Sequence, residues 1–185
     1  MLEEVIKYVN ECFEKSVNHS DYLHFERTVH WLKELKQDAD EPMHIAAYAH
    51  DIERAFRKVS SAETFKDRET DDKEYMADYQ EEGARIITKF LMEKNYDSKA
   101  IDRVYNMVRH HEEGGDPESD FIKDADSLSY FEVNAEKHIK KLAPILGKDK
   151  IRRKFYFMYN RISSLKAKEI AKPMYDKAIA SLDST

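Results

Sequence analysis

Two histidines and two aspartates stand out for the company they keep. His24 lies in Asp21-Tyr-Leu-His24-Phe-Glu-Arg27. His50 and Asp51 follow the small, apolar run Ala46-Ala47-Tyr48-Ala49, and Asp126 sits in Lys123-Asp124-Ala125-Asp126-Ser127-Leu128. An ionised carboxylate among apolar neighbours is costly unless something opposes its charge. A divalent cation would do so, and imidazole nitrogens with carboxylate oxygens suit Zn, Mn, Fe, Co or Ni. Adjacent residues on a helix point about 100° apart. His50 and Asp51 can therefore share one ion only at a helix edge, with other helices closing around it. Spacing alone leaves plainer readings open: a partly exposed His24, and an Asp51 paired with Arg54 or Arg27.

The elements that must position these groups are helices. Apolar residues recur at helical spacing in 2–18, at Leu2, Val5, Ile6, Val9 and Phe13. Ser20 or Asp21 is placed to cap a second helix to about 35. Pro42 suits the first turn of a third helix, expected to run to about 56. The polar stretch 58–73 reads as a mobile or partly ordered connection. Further helices are expected over 75–94, from Asp97 or Ser98 to about 111, over 121–141, and over 151–182 with a kink or break near Pro173. Gly114-Gly115-Asp116-Pro117 and Pro144 to Gly147 mark turns. No strand pattern appears, so the class is all-α.

Composition narrows the functions. Of 185 residues, 37% are charged and 41% hydrophobic, which is too apolar for a disordered chain. A net charge of −6 gives no general attraction to nucleic acid polymers or anionic membranes. Cys12 is the single cysteine, so there is no internal disulfide and a reducing compartment fits. No apolar run approaches the ~20 residues that span a bilayer. The acidic, mixed N-terminus does not read as a signal peptide. A cytoplasmic protein, with homo-oligomerisation open, is the expectation.

The order H…HD…D, with its flanking residues, resembles the HD-domain superfamily of metal-dependent phosphohydrolases. His24-x-x-Arg27-Thr-Val is similar to that family's "HxxRV" pattern, and Ala46 to Ile52 to its "AAxLHDI" helix. Glu82-Gly83-Ala84 is similar to its "GA" segment, Val104 to Glu112 to its "VxxIxxHHE" helix end, and Asp124 to Leu128 to "DADxL". The likeness covers about 20–132 within one HD-type domain spanning 1–185. It implies an HD-domain-like helical bundle with His24, His50, Asp51 and Asp126 as metal ligands. Asp124 is left as a supporting or solvent-facing charge. Where two-metal members carry an extra His, this chain has Tyr79, so one divalent ion (Mn, Fe, Co, Ni, Zn or Mg) is expected. Members acting on alarmones or nucleotides resemble "HDxxED" or "HDxxE". Here Arg54 holds that acidic slot and Glu53 comes one place early.

What the resemblance implies is hydrolysis of a phosphate ester of a nucleotide or another small phosphorylated metabolite. Asp51 is then both ligand and acceptor of the water proton, with Glu53 a second candidate acceptor and His110 a proton donor to the leaving oxygen. Arg27, Arg54, Lys123 and His111 are the candidate substrate-binding groups. The alternative is a non-catalytic metal- or nucleotide-binding module of the same fold. A third reading is a helical interaction protein. The basic, aromatic run Arg152 to Arg161 is expected to pack one face on the core, with Arg153, Tyr156 or Arg161 able to reach the site rim.

Overall fold

The computed structural model describes residues 1–18 and 22–185. Among these there are helices and no strand. The all-α expectation holds. The two capping candidates of the second helix, Ser20 and Asp21, lie outside the described residues.

Eleven α-helical segments follow one another among the described residues: α1 (Leu2–Glu14), α2 (Tyr22–Leu35), α3 (Glu41–Ala49), α4 (Ser61–Thr64), α5 (Lys73–Glu93), α6 (Ser98–Arg109), α7 (Pro117–Ser129), α8 (Ala135–Lys137), α9 (Ala143–Leu146), α10 (Lys148–Asn160) and α11 (Leu165–Asp183). Side-chain caps start several of them. Asp40 accepts the Met43 N–H at α3, with Pro42 in the first turn; Asp97 accepts from Ala100 at α6; and Asp116 accepts from Glu118 and Ser119 at α7. The stretch 58–73, expected as a mobile or partly ordered connection, carries the short α4, opened by a full capping box between Ser60 and Glu63.

α3 is the helix around which the first hydrophobic cluster is built. Ala46, Ala47 and Ala49 have no exposed surface, and their short side chains let α1, α2, α6 and α7 approach. The cluster also holds Val5, Phe25, Leu32, Ile87, Met107 and Ile122. A second cluster gathers Tyr130, Phe131, Ile139, Ile151, Phe155 and Leu182.

Three helix boundaries differ from expectation. α3 stops at Ala49, not near 56, and a 3-10 turn (Ile52–Phe56) takes over. The C-terminal helix breaks after Asn160, not at Pro173, which lies inside α11. The cause is Asp124: its carboxylate accepts the N–H groups of Ser163 at 2.7 Å and Ser164 at 2.8 Å, and Ser164 then caps α11. The helix beginning at Pro117 does not end at 141. It continues through two π-helical stretches, Tyr130–Asn134 and His138–Leu142, to Gly147, whose φ of +88° a glycine adopts without strain.

Candidate metal centre

The four expected ligands meet. His24 comes from α2, His50 and Asp51 from the end of α3, and Asp126 from α7. All are buried. His24 Nε2 lies 3.1 Å from Asp126 Oδ1 and 3.9 Å from Asp51 Oδ2. His50 Nε2 lies 3.4 Å from each of the same two oxygens. One ligand atom each from His24, His50 and Asp51 falls within 4.8 Å of the others.

The end of α3 is what allows adjacent residues to converge. His50 Nδ1 donates to the Ala47 carbonyl at 2.9 Å, capping the last turn from its side chain. Asp51, at φ −102° and ψ 15°, has left the helix. The 100° separation of a continuing helix therefore does not apply. His111 repeats the device just past α6, donating from Nδ1 to the Val108 carbonyl at 2.7 Å. His24 Nδ1 donates to Ser129 Oγ at 2.8 Å, because the Ser129 hydroxyl proton goes to the His24 carbonyl at 2.7 Å. Three imidazoles are thus tied by Nδ1, leaving Nε2 for the centre, as metal-binding histidines usually are. Two of those nitrogens, His50 Nε2 and His111 Nε2, are buried without a hydrogen-bond partner. A buried polar atom without a partner is expensive. A cation between these atoms would satisfy them, so the residues present fit a metal ion.

The electrostatics agree. Burial lowers the pKa of His24, against its bond to Asp126. Burial and the neighbouring His50 lower that of His111. At His50 burial works the same way, but Asp51 and Asp126 outweigh it and hold the imidazolium up to about 10. Burial alone would raise both aspartates. Arg54 and His50 instead hold Asp51 well below the carboxylate range, and Arg161 and His50 do so for Asp126. The two aspartates keep their charge and draw His50, Arg54 and Arg161 to them, and a metal ion would take the place of the proton on His50 Nε2.

Several candidate residues are placed elsewhere. His110 is half-buried at the C-cap of α6, and none of the described side-chain contacts brings it to the centre. Its neighbour His111 is fully buried there instead, with Nε2 3.9 Å from Asp51 Oδ1 and its ring edge-on to His50. Glu53 points to Arg57, bound at 2.7 and 3.0 Å through Nε. Arg54, not Glu53, faces the centre, with Nη1 2.8 Å from Asp51 Oδ2. Arg27 pairs with Glu132 at 2.8 Å and lies over Trp31. Lys123 turns its ammonium to Asp120 at 2.7 Å and to the Glu113 carbonyl at 3.3 Å. Asp124 shapes the α10–α11 turn. Of the C-terminal candidates, Arg153 pairs with Glu69 and Tyr156 is exposed. Arg161 enters the site.

Arg161 reaches Asp126 Oδ2 and Glu112 Oε2 through its two terminal nitrogens and Ser127 Oγ through Nε at 2.9 Å. Tyr79, in the slot of the absent histidine, donates to Glu112 Oε1. Burial opposes ionisation of Glu112, yet Arg161 and Lys154 bring its pKa down to about 2. The sequence carried a hint of Arg161 in its basic, aromatic run, but none of its partners.

A cleft of about 780 Å³, part of it open to solvent, leads away from His24 and Asp126. One wall is a stripe at four-residue intervals: Tyr130, Asn134, His138, Leu142 and Leu146. Steps of four drift by about 40° each on a regular α-helix, so Leu146 would face away from Tyr130. The wider π turns remove the drift. π segments often mark functional sites, and here they build the cleft wall.

A family model described as a domain of unknown function (DUF4202) matches residues 9–180. The chain belongs to that family. No curated protein and no solved structure matches it. The all-helical fold and the buried His24, His50 and Asp51 group are compatible with an HD-like domain. Among the described residues, no helix of this DUF4202 chain is long and apolar enough to cross a membrane.

Proposed function

We propose that this DUF4202 chain is an HD-type, metal-dependent phosphohydrolase of a nucleotide or other small phosphorylated metabolite. The observation that carries the reading is the orphaned His50 Nε2, buried between two carboxylate oxygens at 3.4 Å. His24, His50, Asp51 and Asp126 would hold one divalent ion, with His111 Nε2 beside Asp51 as a further donor. Such an ion supplies charge to a phosphoryl oxygen and acidity to a water. Asp51 remains the proton acceptor in this reading, and Arg54 and Arg161 offset charge that develops next to the centre. His111, not His110, is the imidazole beside Asp51.

One observation favours a second reading. Arg54 and Arg161 already sit on Asp51 and Asp126, so a binding module that turns nothing over would also satisfy its charges. Metal analysis of the purified protein, followed by a phosphate-release screen of phosphomonoesters, nucleotides and cyclic dinucleotides with added Mn, Co or Mg, separates the two. Asp51→Ala is expected to lose the ion and at least ~100-fold in turnover. Metal bound with no release across the screen would favour the module. Turnover unchanged in Asp51→Ala would overturn the mechanism.

A further inference from the structure

The charges at the inner end of the cleft can be counted. The Asp51 carboxylate pairs with the Arg54 guanidinium, the Asp126 and Glu112 carboxylates pair with that of Arg161, and the Lys154 side chain lines the same cleft. With the imidazoles neutral, as metal ligation requires, these three carboxylates and three cations sum to zero. A divalent ion in the centre then leaves two positive charges in a partly closed, low-dielectric site, which is costly without a counter-charge. A dianion restores the balance.

Lys154 differs from the other two cations. Arg54 is engaged by Asp51, and Arg161 by Asp126 and Glu112. Arg57, also on the cleft wall, is neutralised by Glu53. Lys154 has no ion-pair partner among the described residues. Its Nζ hangs over aromatic rings, 5.0 Å from the centroid of Phe157 and 5.9 Å from that of Tyr130. Burial pushes its ammonium pKa down, with Glu112 opposing and the two arginines adding to the effect. This ammonium lacks an anion. Farther out, the cleft is lined by Phe65, Leu142, Leu146 and Ile151, which offer apolar surface and no charge.

We propose that Lys154 is the anion-recognising cation of this cleft, and that the ligand is a dianionic phosphate monoester of an apolar or aromatic alcohol. Its phosphoryl group lies between Lys154 and the centre, and its organic body lies against Leu142, Leu146 and Ile151. The inference rests on the metal reading above. It comes from a residue outside the 20–132 segment that carries the family likeness.

Calorimetric titration of the Mn-loaded protein with methylphosphonate and phenylphosphonate, which are not hydrolysed, tests it. Phenylphosphonate is expected to bind about tenfold or more tightly than methylphosphonate, from burial of the ring. Lys154→Met keeps the aliphatic stem. It is expected to lose about tenfold on both phosphonates while Mn affinity holds or rises, because a repelling charge is gone. A merely structural lysine would lower Mn and phosphonate affinity together, and that result overturns the proposal. Unchanged phosphonate affinity in Lys154→Met overturns it too, as does equal binding of the two phosphonates. Wild-type protein that takes up no Mn sinks the metal reading itself, a result distinct from all of these.

Discussion

The two largest hydrophobic clusters among the described residues are built from different residues and do different work. The first packs alanines and aliphatic chains around α3. Small side chains bring helices close, so α2, α3, α6 and α7 all end or pass near one point and deliver His24, His50, Asp51, His111 and Asp126 to it. The second is aromatic. Tyr159 stacks on Tyr175 with ring centroids 4.5 Å apart, and Phe131 meets Phe155 and Tyr175 edge-on. Beside these rings, Tyr130, Leu142, Ile151 and Met158 of the same cluster line the cleft. The first region supplies acids and imidazoles; the second supplies Arg161, Lys154 and the π-turned wall. The candidate metal donors thus come from the alanine-rich half, and the cations Arg161 and Lys154 from the aromatic one.

Arg161 is one of the contacts between the halves, and removing it is the largest test of that division. Arg161→Met leaves Asp126 and Glu112 buried without their shared partner, which is expected to cost about 3–5 kcal/mol of stability. Denaturant unfolding of metal-free protein measures it. A loss under ~1 kcal/mol would mean the two halves are not joined through this ion pair. A smaller effect is expected at Ser129, the residue that fixes the His24 tautomer from the helix leading into the second region. Ser129→Ala should weaken metal affinity about 10- to 100-fold with the fold intact, as read by competition with a chelator. No change in affinity would show that Nδ1 does not need this acceptor.

The smallest expected effect is confined to the second region. His138 bonds Tyr130 through Nδ1 at 2.8 Å. Burial, with Lys154 and Arg54 nearby, drives its pKa down to about 3. Its folded pKa lies below the unfolded value near 6.5, so the unfolded chain binds more protons between those limits. Its contribution to stability is therefore complete above about pH 6.5 and falls as pH drops from there toward 3. The ring is only half-buried, so under about 1 kcal/mol should be lost between pH 7 and 5.5. Melting temperatures of wild type and His138→Asn across that range measure the difference. Parallel curves would show that His138 carries no such linkage.

The candidate ligand set was legible through the short motifs that carry the HD-domain resemblance, since spacing alone left plainer readings open. His24, the His50–Asp51 pair and Asp126 each sit in a short stretch of small and apolar residues that a helix would bury. The choice between His110 and His111 was not legible. Adjacent residues carry the same imidazole, and only the end of α6 at Arg109, with the Val108 carbonyl taking Nδ1, turns His111 inward. Nor was the choice between Glu53 and Arg54, because it depends on α3 giving way to a 3-10 turn after Asp51. Periodicity also misplaced the C-terminal break. Pro173 is a visible local cue, whereas the Asp124 carboxylate that ends α10 comes from a point 39 residues earlier in the chain.

By itself the sequence determined an all-helical chain, the types of its candidate ligands and their order, since helical period and buried polar residues are written within a few positions of each other. The tertiary structure alone decided which cations face those acids. Arg161 meets Glu112 across 49 residues, and Lys154 stands beside the same acid without a partner of its own. Such pairings are set by how two differently packed halves come together, and that information lies in no single stretch of the chain.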